Sequence, residues 1–415
     1  MKRFSSEFIE QVRQANDIVS VISDYVTLKR RGRNFWACCP FHNEKTASFS
    51  VAADKGFFYC FGCHAHGDVF QFIMKKENLS FSDAVERLAE RAHIALPVVE
   101  RSAEEIARDK QRDRLYQINE MAGNFFHNCL TQTHYGQPGL AYFHKRHVSD
   151  DTIEAFKLGF APESWDKLTT AFMKKGVTGR ELVLLGLAKE KNGHFYDAFR
   201  GRVMFPIRDG RSRIVGFGGR VLDDSKPKYL NSPETPIFNK RRLLFAMDLA
   251  HKAIYEQGKA ILVEGYMDVV SAHNRGIHNV VASLGTSFTP EQARLLQRQA
   301  KELVLGYDMD GAGRQATQRA MEIVRGLGMR IRVLSLPQGK DPDEYINAAG
   351  PDKFRQAVDE APNVLDYMLM RALQRFDVTT LEGKSSITTM VLTLDDADEH
   401  RVLQQSYQKK QAGQQ

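Results

Sequence analysis

Three apolar runs, each ending in acidic residues, constrain the fold of this 415-residue chain. Lys259-Ala260-Ile261-Leu262-Val263 passes directly into Glu264-Gly265-Tyr266-Met267-Asp268. Glu302 to Tyr307 passes into Asp308-Met309-Asp310-Gly311, and Met329 to Leu336 leads to Lys340-Asp341-Pro342-Asp343. Continuous apolar runs separated by helix-length stretches read as buried parallel strands with helical crossovers. The expectation for residues 259–343 is therefore an α/β fold with a parallel sheet. In such a sheet the functional edge lies at the carboxyl ends of the strands, and all three acidic clusters fall there.

Carboxylates held together repel one another unless a positive charge joins them. Glu264, Asp308, Asp310, Asp341 and Asp343 at one sheet edge point to hard divalent cations, Mg²⁺ or Mn²⁺. Two such ions can clamp the attacking and leaving oxygens of a phosphoryl transfer. The plainer alternative is that these acids cap helices and form turns after the strands.

A second constellation lies near the start. Cys39-x2-His42-x17-Cys60-x2-Cys63 supplies four ligands in two close pairs, the spacing of a tetrahedral zinc site. Four protein ligands leave no open position, so the ion is expected to be structural, one per chain. Cys38 is one residue out of register, and Cys129 stands in an apolar stretch and reads as core. Between the ligand pairs, Ser48 to Val51 and Phe57 to Tyr59 read as aromatic strands. Some of their rings are expected to stack on single-stranded bases and the rest to form the small domain's core.

The net charge is +7, and much of it is local: Asp197 to Phe245 holds eleven Lys/Arg against five Asp/Glu, 11 − 5 = +6. A basic lane of this kind favours phosphate-rich partners. Arg200 to Ile207 and Ile214 to Arg220 read as paired strands whose glycines are expected to admit a nucleic-acid strand. Ala282 to Ser287 reads as a small-residue loop near phosphate or the acidic edge. There is no G-x4-G-K-[ST] loop, hence no helicase motor.

Glu264 to Asp268 and Asp308 to Gly311 resemble the Toprim domain shared by topoisomerases and primases. With Cys39-Pro40-Phe41-His42-Asn43-Glu44-Lys45-Thr46, Cys60-Phe61-Gly62-Cys63 and the basic segment before residue 259, the resemblance narrows to bacterial replicative primases of the DnaG type, over residues 5 to 380. It implies a multidomain α/β architecture: a zinc-ribbon-like zinc-binding domain (1–97), a linker (98–114), a mixed α/β basic subdomain (115–257), a Toprim subdomain (258–343), closing helices (344–380) and a partly disordered tail (381–415). It implies that Glu264, Asp308 and Asp310 are catalytic, with Glu264 as base or metal ligand, and that Asp341 and Asp343 serve as further Mg²⁺ ligands. It also implies that Arg146, Arg220, Lys228 and Lys240 line a template and nucleotide groove.

The activity implied is DNA-templated synthesis of short RNA primers from ribonucleoside triphosphates on single-stranded DNA, by two-metal nucleotidyl transfer. Family members commonly carry a further domain that docks on the replicative helicase, and no such segment is expected here. The alternatives are a non-catalytic primase-derived DNA binder and a Toprim topoisomerase or nuclease. The start of the chain lacks a signal-peptide core and no apolar run approaches ~20 residues, so a cytoplasmic location and no membrane contact are expected.

Overall fold

The computed structural model describes residues 4–77, 79–97, 102–285, 287–307, 311–336 and 341–392. The chain divides into two compact units, residues 1–106 and 107–415. No helix among the described residues is long and apolar enough to cross a membrane.

The first unit is an antiparallel meander of five strands: β1 (Lys29–Arg31), β2 (Asn34–Ala37), β3 (Phe49–Ala52), β4 (Phe57–Cys60) and β5 (His66–Gly67), in that spatial order. Helices Ser6–Ala15, Ile18–Ser23, Val69–Glu77 and Phe81–Arg91 complete it. The first starts where Ser5 accepts a hydrogen bond from the Phe8 N–H at 3.2 Å, and the last where Ser80 does the same for Asp83. Phe49, Val51 and Phe58 of the sheet bury against Val12, Ile22, Phe70, Phe72 and Leu88 of the helices.

Helix Ala103–Gln132, most of which belongs to the second unit, occupies most of the span read as a linker. Its early residues are charged and exposed; from Leu115 onward Ile118, Ala122, Phe126 and Leu130 are buried. Helices Gln137–Lys145 and Asp150–Phe156 lead to β6 (Gly159–Ala161). Helices Lys167–Met173 and Gly179–Leu184 precede the hairpin of β7 (Ala188–Lys191) and β8 (His194–Asp197). β9 (Arg202–Arg208) and β10 (Ile214–Val221) pair antiparallel as expected, and with β11 (Tyr229–Asn231) they form a sheet ordered β11–β10–β9–β6.

The glycines of β10 serve a different purpose from the one expected. A Cβ on Gly216 would meet the Phe238 ring at 3.0 Å, one on Gly218 the Tyr266 ring at 2.6 Å, and one on Gly219 the Phe199 ring at 2.9 Å. The close approach they allow is by the protein's own aromatics, not by a nucleic-acid strand.

The parallel sheet comprises β12 (Lys259–Val263), β13 (Val280–Ala282), β14 (Glu302–Gly306) and β15 (Arg330–Val333), ordered β13–β12–β14–β15. All but the edge strand β15 are almost wholly buried, which is why they read as unbroken apolar runs. The chain steps outward from β12 to β13, then returns to the other side of β12 with β14. The order thus reverses between β12 and β14, and the crevice at their carboxyl ends is the topological switch point.

Phe205 of β9 stacks on Tyr266 with ring centroids 5.1 Å apart, and Phe245 meets Tyr266 edge-on at 4.8 Å. These rings join the antiparallel sheet to the parallel one. Helix Val364–Arg375 is followed by helix Leu381–Leu392, which begins the span expected as a tail. It is held by Ile387 against Leu369 and Ala372. The remainder of that span, from residue 393, lies outside the described residues.

His273, in helix Tyr266–Asn274, is buried; its Nε2 donates to the Val280 carbonyl at 2.9 Å. Burial lowers its pKa from 6.5 to about 4, with His278 adding to the effect. The unfolded chain therefore binds a proton that the native state refuses, and stability is lost as pH falls from about 6.5 toward 4. Urea unfolding at pH 7 and pH 5 should show that His273→Phe, whatever its effect at pH 7, loses about 2 kcal/mol less than the parent over this interval.

Candidate active site and metal centre

In the first unit, Cys39 follows β2, Cys60 ends β4, and the turn after β4 returns Cys63 and faces His42. The four potential ligand atoms lie within 4.8 Å of one another. Cys39 Sγ and Cys63 Sγ are 3.7 Å apart, and Cys60 Sγ and His42 Nδ1 3.9 Å apart. A tetrahedron with Zn–S bonds of about 2.3 Å has an S···S edge of about 3.8 Å, so this donor set fits zinc. Cys38 is exposed and outside the cluster, and Cys129 is buried elsewhere.

The backbone prepares the sulfurs for a cation. The Phe41 N–H points at Cys39 Sγ and the Cys63 N–H at Cys60 Sγ, each at 3.4 Å. Such donors favour the thiolate that a metal requires, although at Cys39 burial outweighs the Phe41 N–H and pushes the thiol up to about 12. Burial opposes ionisation of Cys60, but the Cys63 N–H and the Ser48 hydroxyl hold its pKa below the ordinary thiol value, at about 7. A Cβ on Gly62 would lie 2.6 Å from His42 Nε2, so the turn admits the imidazole only because residue 62 has no side chain.

Glu44 was not singled out by the ligand spacing, yet it ties the centre together. Its Oε1 accepts from the Cys39 N–H at 2.6 Å and the Ser48 N–H at 3.3 Å, and its Oε2 from the Ser48 hydroxyl at 2.5 Å. Oε2 also lies 3.3 Å from His42 Nε2, leaving Nδ1 to face the sulfurs. The Ser48 hydroxyl first, then the backbone N–H groups and His42, hold the Glu44 carboxyl below its ordinary pKa. Carboxylate support of a ligating histidine fixes its tautomer and orientation. Glu44→Ala should retain the fold but release zinc about 10- to 100-fold more readily, measured by competition with a chromogenic chelator.

In the second unit the acidic edge forms at the switch point. β12 and β14 pair in register, Val263 opposite Gly306, so Glu264 and Tyr307 leave the sheet side by side. Burial first, and the Glu264 charge second, drive the Tyr307 phenol above its ordinary range. Asp308 and Asp310 lie outside the described residues. Asp268 closes the turn after Glu264: its Oδ2 accepts from the Gly265 N–H at 2.9 Å and its Oδ1 from the Asp343 N–H at 3.2 Å. The three-residue spacing of a helix N-terminal box was the available signal for it.

Asp341 caps helix Pro342–Ala349, accepting from the Glu344 N–H at 2.7 Å. Asp343 is 2% exposed. Its Oδ1 accepts from the Ser271 hydroxyl and from Asn347 Nδ2, and its Oδ2 pairs with the Arg146 guanidinium. Both acids thus have protein partners, Asp341 through one oxygen in a helix cap and Asp343 through both.

The four basic residues differ in what they contact. Arg146 ends helix Gln137–Lys145 and reaches Asp343. Arg220, on β10, donates to the Tyr229 hydroxyl at 3.0 Å. Lys228 is exposed. Lys240 anchors its own loop through the backbone, its N–H donating to Glu234 Oε1 and its carbonyl accepting from Gln292, both at 3.0 Å. Arg202 is buried and donates to the carbonyls of Gly219 and Pro227 at 3.1 Å, which fixes the loop carrying Lys228. The Tyr266 hydroxyl donates to Asn231 Oδ1 at 2.8 Å, and Asn231 Nδ2 donates to the Leu284 carbonyl at 3.0 Å, holding the small-residue loop beside the switch point.

A zinc-bearing unit and a separate core with a carboxylate-edged parallel sheet define a two-module class, and comparison with known proteins places the chain within it. Residues 4–104 match the CHC2 zinc finger, 125–251 the DNA primase catalytic core N-terminal domain, and 261–346 the Toprim-like family. The chain is 44% identical over 359 residues to the DNA primase of Halalkalibacterium halodurans, covering 86% of this chain and 60% of that protein. It is similar to the zinc-binding and RNA polymerase domains of Aquifex aeolicus primase (TM-score 0.62, 32% identity, 98% of this chain and 97% of that one). It is also similar to a DnaG primase catalytic domain bound to single-stranded DNA (TM-score 0.63, 35% identity, 72% and 98%). The chain belongs to the DNA primase family. It spans about 60% of the length of the Halalkalibacterium relative.

Proposed function

We propose that this chain synthesises short RNA primers on a single-stranded DNA template. The observation that carries this reading is the continuous linkage from the acidic switch point to Arg146: Glu264 beside Gly265, Gly265 to Asp268, Asp268 to Asp343, and Asp343 to Arg146. A carboxylate cluster alone suits many metal sites. A carboxylate cluster bonded to an arginine, on a chain with a locally basic segment, suits the joining of phosphates along a polyanionic strand.

Glu264, Asp308 and Asp310 are the residues proposed to hold Mg²⁺ or Mn²⁺, with Asp341 and Asp343 beside them. A bound divalent cation neutralises charge on the reacting phosphoryl group. The primer's 3′-hydroxyl oxygen attacks the α-phosphorus of a ribonucleoside triphosphate, pyrophosphate departs, and the hydroxyl proton passes to solvent or to Glu264. The protein's own contribution is placement: Arg220, Lys228 and Lys240 hold phosphates, and Asp268 fixes the turn that presents Glu264. The zinc centre, held by Cys39, His42, Cys60 and Cys63, is structural. Trp36 and Phe61 lie parallel beside it with centroids 5.9 Å apart, and Phe61 is exposed, a surface suited to stacking on template bases.

The test is Mg²⁺-dependent incorporation of labelled ribonucleotides on a single-stranded template. Asp310→Asn and Glu264→Gln should each lower synthesis by at least ~100-fold, while zinc content and DNA binding persist. Near-normal synthesis by either variant removes the acidic edge from the reaction. DNA binding by the parent chain without incorporation returns it to the non-catalytic alternative.

The groove is tested by ionic strength. Neutralising Arg220, Lys228 and Lys240 together should weaken single-stranded DNA binding and flatten the plot of log K against log salt by about 2, roughly 0.7 for each phosphate that no longer meets a cation. An unchanged slope would show that these charges meet solvent only.

A further inference from the structure

Tyr142 lies on the last turn of helix Gln137–Lys145, four residues before Arg146. The Arg146 guanidinium carbon is 5.5 Å from the centroid of its ring. The Arg220 guanidinium carbon, from β10, is 5.2 Å from the same centroid. Arg220 also sits 5.4 Å from the Tyr229 ring and donates to the Tyr229 hydroxyl. The Tyr142 hydroxyl is buried and has no hydrogen-bond partner among the described residues. Phe143 packs edge-on against Tyr142 at 5.5 Å.

Two guanidinium groups brought to one ring repel each other and, in water, would diverge on their long side chains. The electron-rich face of an aromatic ring attracts both. Asp343 restrains Arg146 on its far side, and Tyr229 restrains Arg220. The ring is the element the two arginines share, because they come from different parts of the fold, a helix end and a mid-sheet strand. Its hydroxyl bonds to none of the described residues, so the packing against the two arginines uses the ring.

We propose that Tyr142 is a positioning residue: its ring is the shared platform that holds the Arg146 and Arg220 forks in place to bind phosphate. The proposal rests on the reading of those two arginines as phosphate-binding. The phosphates belong either to the template backbone or to the incoming nucleoside triphosphate, and the two probes below separate these sources.

The experiment is binding by fluorescence anisotropy, which needs no turnover, with a labelled single-stranded oligonucleotide and separately with a labelled nucleoside triphosphate. Tyr142→Leu should weaken at least one of the two by about tenfold. Tyr142→Phe, which keeps the ring, should restore affinity to within roughly twofold of the parent. In an Arg146→Ala, Arg220→Ala background, Tyr142→Leu should have no further effect, because the groups it positions are gone. Should Tyr142→Leu fail to fold, pentafluorophenylalanine at position 142 keeps the shape while withdrawing electrons from the ring face, and should bind more weakly than Tyr142→Phe. Equal weakening by Tyr142→Leu in both backgrounds, a loss in Tyr142→Phe as large as in Tyr142→Leu, or equal binding by the two phenylalanine forms would each overturn the proposal. If Arg146→Ala and Arg220→Ala themselves leave both affinities unchanged, the phosphate-binding reading of the groove is what fails.

Discussion

Carboxylates gathered at one end of a parallel sheet repel one another, and repulsion grows as water is excluded. The second unit is arranged around that constraint. Asp343 is nearly inaccessible, and a carboxylate in that position survives only with charge and hydrogen bonds on every side. Arg146, Ser271 and Asn347 supply them, each from a different helix or helix end. Asp268 accepts two backbone N–H groups, one from the turn after β12 and one from Asp343 itself. The helix ending at Arg146, the helix after β12 and the helix from Pro342 are therefore locked together by the acids they surround. Removal of Arg146 alone would leave a buried charge without its counterion, a larger perturbation than the loss of one surface cation.

The first unit meets a related difficulty with sulfur in place of oxygen. Three thiols and an imidazole converge at the edge of a five-stranded meander, and the surrounding backbone N–H groups are turned toward the sulfurs. Glu44 then links the two ligand-bearing segments, through the Cys39 N–H on one side and, on the other, through Ser48, whose hydroxyl lies 3.3 Å from Cys60 Sγ. The ligands are thus held by a shell of hydrogen bonds as well as by the ion they suit.

Features with a strong period or spacing were legible in the sequence. The buried strands β12 and β14 read as apolar runs because both faces are covered, and the Cys/His pairs read as a centre because knuckle spacing is narrow. The region between 150 and 200 was less transparent. Phe160 lies in β6, but its partner Val203 on β9 is more than forty residues away and no local signal announces the pairing. The helices at Lys167–Met173 and Gly179–Leu184 are too short to show a helical period, and the β7–β8 hairpin is mostly polar. In the site, residue types were visible but their commitments were not. Asp343 reads as one more carboxylate on the edge, and only the fold reveals that Arg146, almost two hundred residues earlier, occupies one of its oxygens. Glu44 and Tyr142 escaped for the same reason: each acts through neighbours that become adjacent only in three dimensions.

The interlock between Gly218 and Tyr266 has a bearing on how the chain can diverge over time. Tyr266 lies two residues after Glu264, and its ring occupies the space where a side chain on residue 218 would begin. Any residue larger than glycine at 218 displaces that ring, and with it the turn that carries Glu264. A smaller residue at 266 opens a gap between the two sheets and frees Asn231 from its hydroxyl partner. Neither position can drift by itself, so an inherited change at one should be accompanied by a change at the other. Gly218, forty-six residues before Glu264 in sequence, thus shares its evolutionary fate with the start of the helix that follows Glu264.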